Sequence, residues 1–148
     1  MSRPPSPRRR LLEAFGTCLQ VISIMADFRT DAGKDWTLEP RPGDQTSTGV
    51  LTALIEKQER ASDKALVNTH RLTTVSVVAK LPADSNQLQS RLDEIASDIE
   101  EAMSGQYRRF PPGLQSPVYL GMEPLMPEKA GAGWVGIAVT YQSHIHIK

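Results

Sequence analysis

The sequence predicts an α+β fold: an antiparallel sheet of about four main strands with two helices packed on one face, in the order α-β-β-α-β-β. Three stretches carry that expectation. Residues 72–81 alternate, with Val75, Val77, Ala79 and Leu81 on one face, Thr74, Ser76 and Lys80 on the other, and Val78 as an apolar exception. A period of two marks a half-buried strand. Residues 87–103 change period: Leu88, Leu92, Ile95, Ile99 and Ala102/Met103 recur at spacings of three and four, a helix with one apolar stripe. Residues 134–147 alternate again, with Val135, Ile137, Val139, Tyr141, Ile145 and Ile147 on one face and Gly136, Thr140, Gln142, His144 and His146 on the other. A strand apolar on one face and a helix apolar on one stripe bury each other, so residues 72–103 read as the core unit.

The remaining elements follow in order. Residues 1–7 hold three prolines and two serines and read as a disordered basic tail, with residues 8–148 as one domain. Ser6 is a helix cap with Pro7 in the first turn. Leu11, Leu12, Phe15, Cys18, Leu19, Ile22 and Met25 then form the stripe of a first helix that ends near Asp27. Asp31-Ala32-Gly33 is turn chemistry, flanked either by a short hairpin or by a loop into a short strand at 36–38. Pro40, Pro42 and Gly43 break structure through about Gly49. Residues 50–60 are ambiguous between helix and strand. Their first half reads as a strand because it follows a loop and precedes the strand at 72, across a polar connection at 61–68. Pro82 ends that strand by removing a ladder donor, and Asp84 is placed to cap the second helix with Gln87 at the reciprocal position. Residues 117–123 read as a strand and 124–133 as a proline- and glycine-rich connection. The polar sheet face (Thr74, Ser76, Lys80, Thr140, Gln142, His144, His146) has no element left to cover it.

At 148 residues the chain is one domain with room for a real core. Formal charge is zero but uneven: Arg3, Arg8, Arg9 and Arg10 place +4 in the first ten residues and leave −4 for the rest. A neutral total argues against a dedicated nucleic-acid binder, whose affinity rests on many phosphate contacts. The single cysteine, Cys18, sits among apolar neighbours and reads as a buried thiol in a protein without disulfides, as suits the cytoplasm. The apolar run 19–25 is too short to span a membrane.

Each candidate for chemistry has a plainer alternative. His144 and His146 stand two apart on one strand face and could begin a metal site. The pair lacks further ligands except His70, so a solvated or interface pair is preferred. Asp93, Glu94, Asp98, Glu100 and Glu101 could hold two carboxylates for acid–base work, yet read as a solvated helix face. Arg108 and Arg109, beside Tyr107 and Phe110, read as an exposed loop or a subunit contact. No glycine-rich phosphate loop, nucleophile elbow or Cys/His dyad appears. No catalytic residue, cofactor or metal is therefore expected, and an assembly protein fits better than an enzyme. Symmetric rings use two different patches per subunit. The loops at 28–36 (Arg29, Asp31, Lys34, Trp36) and 124–133 (Glu128, Lys129) are available as such patches, together with Arg108, Arg109, His144 and His146.

In this arrangement the chain resembles the tail terminator proteins of long-tailed phages, the group of the lambda minor tail protein U. The likeness covers roughly residues 11–147. It runs through the first helix, the strand at 50–56, the strand Thr74-Val75-Ser76-Val77-Val78-Ala79-Lys80-Leu81-Pro82-Ala83, the acidic helix 88–103 and the final Gly136-Ile137-Ala138-Val139-Thr140-Tyr141. The turn Arg29-Thr30-Asp31-Ala32-Gly33 is similar to related prophage tail and neck proteins. The proline- and arginine-rich start and the longer 33–49 segment depart from the lambda pattern. The resemblance implies a virion tail protein that forms a homo-oligomeric ring, a hexamer, which caps the tail tube, stops its polymerisation and joins it to the head connector. Its partners would be itself, the tail tube protein and the head–tail connector protein, with no membrane and no specific nucleic acid. Another head–tail joining or tail completion protein is the nearest alternative. A small ferredoxin-like enzyme or ligand-binding dimer using His144, His146 and the acidic helix is the alternative of a different class.

Overall fold

In the computed structural model, which describes residues 3–39, 49–84, 86–105, 110–126 and 133–148, the order is α1 (Pro7–Leu19), β1 (Val50–Arg60), β2 (His70–Pro82), α2 (Leu88–Ser104), β3 (Val118–Leu125) and β4 (Trp134–His146). The strands form one antiparallel sheet in the spatial order β1-β2-β4-β3. The two sequential pairs are thus joined through β2 and β4, which pair from His70↔His146 to Pro82↔Trp134. These are the strands with the longest apolar alternation, and the centre of a sheet is where such strands bury most. Val75, Val77, Val139 and Ile145 are fully buried. α1 lies over β1 and reaches β4, α2 lies over β2 and β4, and the helices touch each other. Both therefore pack on one face, and the predicted α+β class is the one found.

Helix α1 starts as its sequence asks. Ser6 Oγ accepts from the Arg9 N–H at 3.2 Å, and Pro7 occupies the first turn. It ends at Leu19, well before the expected end near Asp27. The cause is a return of the chain onto the helix end. The Gly33 N–H donates to the Ile22 carbonyl at 3.0 Å. A Cβ at Gly33 would stand 2.6 Å from the carbonyl oxygens of both Gln20 and Ile22. Only glycine allows that approach. Residues Ile24–Ala26 become a single 3₁₀ turn closed by Ser23, and Ala32–Asp35 a second one, in place of a hairpin.

Strand β1 extends through the whole of residues 50–60, so strand pairing overrides the helix-compatible period. Leu51 and Ala53 face the helices and Thr52 the other side. Trp36 forms a parallel bridge with Leu51, and the Thr37 N–H donates to the Leu51 carbonyl at 2.9 Å. The Trp36 ring lies over Gly16 of α1, where a Cβ would come within 2.6 Å of it.

Helix α2 differs from expectation at its start and along its length. Gln87, in the left-handed region at φ 53°, is the cap residue and makes no side-chain cap bond, so the Asp84–Gln87 capping box is not formed. Asp98, read from the sequence as part of a solvated acidic face, is fully buried. Its Oδ1 accepts from the Arg29 N–H at 3.0 Å, and its Oδ2 accepts from the Thr30 N–H at 2.8 Å and the Thr30 hydroxyl at 2.7 Å. The carboxylate ties the loop after α1 to the middle of α2.

Candidate assembly surfaces

The loop at 28–36 is rigidly placed. Asp31 Oδ1 accepts from the Ile24 N–H at 2.9 Å, Arg29 is held through its backbone by Asp98, and Trp36 is half-buried between α1 and β1. Of the four candidate contacts there, the Arg29 and Lys34 side chains are exposed, whereas Asp31 and Trp36 hold the loop. Asp35 lines a cleft of 240 Å³ with Lys34, Arg91 and Glu94; burial pushes its carboxyl above the ordinary value, and Lys34 pulls the other way. Arg108, Arg109, Glu128 and Lys129 lie outside the described residues.

The three histidines meet at one end of the sheet, which their sequence separation did not reveal. His70 pairs with His146 across β2 and β4, and their rings stack with centroids 4.8 Å apart. His144 lies beside them, its Nε2 3.2 Å from the Ser62 N–H and its Nδ1 3.0 Å from Gln115 Oε1. The ring nitrogens of His144 are thus engaged by protein groups, and His70 Nδ1 lies 2.7 Å from the Thr69 hydroxyl. Among the described residues, no group of three His, Cys, Asp or Glu side chains is placed to hold a metal ion. Desolvation first, then the neighbouring His146 and His144, pull the His70 pKa below its ordinary value. The unfolded chain therefore binds the proton first. The His70 contribution is complete above the unfolded value of about 6.5, declines as pH drops through it, and levels off once the folded ring protonates. Melting temperature is expected to fall between roughly pH 7.5 and 5.5, and His70→Gln to flatten that fall. An identical slope in the variant would remove the stack as its source.

The β3 edge carries a feature that the sequence pattern did not announce. Among the described residues α2 covers β3 only in part, and the helix-side Tyr119 and Met122 are 48% and 47% exposed. A bulge between Tyr119 and Gly121 interrupts the pairing of β3 with β4. On the other face of β3, Val118 and Leu120 are 55% and 50% exposed. Between α2 and β3 run two clefts. One of 500 Å³ is lined by Leu92, Asp93, Ala96, Met122, Pro124 and Ile137 among others. The second, of 280 Å³, is lined by Glu100, Met103, Ser104, Pro117, Tyr119 and Tyr141. Burial, then the adjoining Glu100, push the Tyr119 phenol above its ordinary pKa. The flank is an apolar groove with an acidic rim. Exposed apolar side chains gathered in this way make the flank a candidate contact site.

The fold is similar to that of a chain in the virion of a native gene transfer agent (GTA) particle. The two superpose with a TM-score of 0.59 over 92% of this chain and 94% of the other, at 16% sequence identity. No protein-family profile matches the sequence, and no curated protein sequence matches it. Among the described residues, no helix is long and apolar enough to cross a membrane.

Proposed function

We propose that this chain is a non-catalytic structural component of a phage-like virion, and within it a tail terminator: a ring-forming protein that caps the tail tube, stops its polymerisation and meets the head connector. The observation that carries the reading is the likeness of fold, along nearly the whole of both chains, to a chain of a gene transfer agent virion. The order of elements shared with tail terminators, and two exposed flanks of unlike character, support the finer role. A ring needs two different, complementary patches on each subunit.

Tube assembly tests it. Purified tail tube subunits polymerised with this chain present are expected to give tubes with a density at one end and a bounded length in electron micrographs. Tubes of unbounded length with bare ends would overturn the terminator role. Binding to the head connector with no effect on tubes would replace it with the head–tail joining role.

A further inference from the structure

We infer that the acidic groove between α2 and β3 is the seat for the arginine-rich start of α1 from a second copy of this chain. The inference rests on the assembly reading above, and it names the contact by which the copies join.

Four observations lead to it. First, the charges lie on opposite edges of the sheet. Arg8 Nη1 donates to Gln58 Oε1 of the edge strand β1 at 3.4 Å, so the start of α1 sits at the β1 edge. Glu100 stands beside Tyr119 of β3, the other edge. Secondly, they lie at the same level. Gln58 pairs with Thr73, which pairs with Ser143, and Tyr119 pairs with Tyr141 two residues away along β4. A copy moved sideways therefore brings its Arg8, Arg9 and Arg10 toward Glu100, with the exposed Glu101 next to it at the same end of α2.

Thirdly, each cluster opposes its own helix. Residues 3–10 carry four arginines and no acid, and no acidic residue stands in the first turn of α1. Glu100 and Glu101 come at the end of α2, whose last turn has no basic residue. Cations at a helix N-terminus and anions at a C-terminus both run against the macrodipole. Side by side, the two ends complete each other: positive side chains and a positive helix end meet negative side chains and a negative one. Arg9 is partly satisfied within its own chain by Glu13 at 3.0 Å and Glu39 at 3.4 Å, in pairs exposed enough to be screened and exchanged.

Fourthly, the groove is apolar beneath its acidic rim and open among the described residues, and an arginine stem packs well on such a floor. The contact uses side chains because both edges resist strand addition. β3 has its bulge and Pro124, and β1 has a register shift between Ile55 and Lys57. The joined patches differ, so the contact repeats head to tail and closes only as a ring.

A charge-swap series read by native mass spectrometry and sedimentation tests this on the full chain. The wild type is expected to associate beyond a dimer in low salt and to dissociate as salt rises. Arg8→Glu with Arg9→Glu, and separately Glu100→Arg with Glu101→Arg, should each weaken association at least tenfold. All four changes in one chain should restore it. Met122→Asp, at an exposed position, should weaken association without lowering the melting temperature. A monomer at every concentration and salt, or association unchanged by either pair, overturns the inference. So does failure of the fourfold variant to recover while each pair remains folded by circular dichroism. Tube capping by such unaffected variants would leave the terminator role standing and this interface refuted. The charge-swap pattern without tube capping would do the reverse.

Discussion

Phe15→Ala is expected to cost about 3–5 kcal/mol of stability, the range for truncating a fully buried phenylalanine. Phe15 is entirely inaccessible and stands where three parts of the chain meet. Its ring packs edge-on against Phe110 at 5.6 Å and Tyr141 at 5.8 Å, so it joins α1 to β4 and to the segment after α2. Tyr141 in turn meets Tyr119 of β3 at 5.8 Å. The cavity left by alanine would open against the Phe110 and Tyr141 rings. A fall in the denaturant midpoint with unchanged slope is the expected result, together with a melting temperature lower by roughly 10 °C. A loss below about 1 kcal/mol would show that α1 is not anchored through this ring.

Asp98→Ala is expected to cost about 3 kcal/mol and to free the loop after α1. Three donors converge on that carboxylate, two of them backbone N–H groups. Hydrogen bonds to charged groups are worth about 1.5–3 kcal/mol each, and an abandoned buried donor adds its desolvation cost. Water reaching the partly exposed Arg29–Thr30 segment offsets part of this. Asp98→Asn should recover little, because its amide would turn a donor toward a donor. Thr30→Ala removes one bond and should cost about 1 kcal/mol. Amide exchange in residues 28–31 is the direct measurement. Unchanged protection there in Asp98→Ala would refute the role given to this carboxylate.

The elements themselves were legible in the sequence because their signals are local. The alternation of Val75, Val77, Ala79 and Leu81, and of Ile137, Val139 and Tyr141, assigns each side chain to a face whatever the partner strand is. Leu92, Ile95 and Ile99 do the same for α2. Ser6 and Pro7 mark the start of α1 because capping involves groups three residues apart. The misreadings came where a distant group decided the matter. α1 stops at Leu19 because Gly33 returns to the helix end, and no pattern within 7–25 announces it. Asp98 is three residues after Ile95 and one before Ile99, so a strict helical projection places it at the edge of the apolar stripe. That projection could have found its burial, although not the backbone N–H groups that make the burial tolerable.

The candidate surfaces divide in the same way. Charge segregation between residues 3–10 and the acidic second helix is a fact of the sequence alone. Which edge each cluster occupies depends on β2 pairing with β4, a contact between segments far apart in the chain, from Pro82↔Trp134 to His70↔His146. The same pairing gathers His70, His144 and His146 at one end of the sheet, with His70 stacked on His146, when only two of them looked related in the chain. The sequence determined the class of fold, the facing of its strands and the polarity of its helices, because periodicity and capping act over a few residues. Tertiary structure alone decided the strand order, the backbone N–H groups that meet Asp98 and the β3 flank left open among the described residues. Those depend on which distant surfaces compete successfully for the same apolar face.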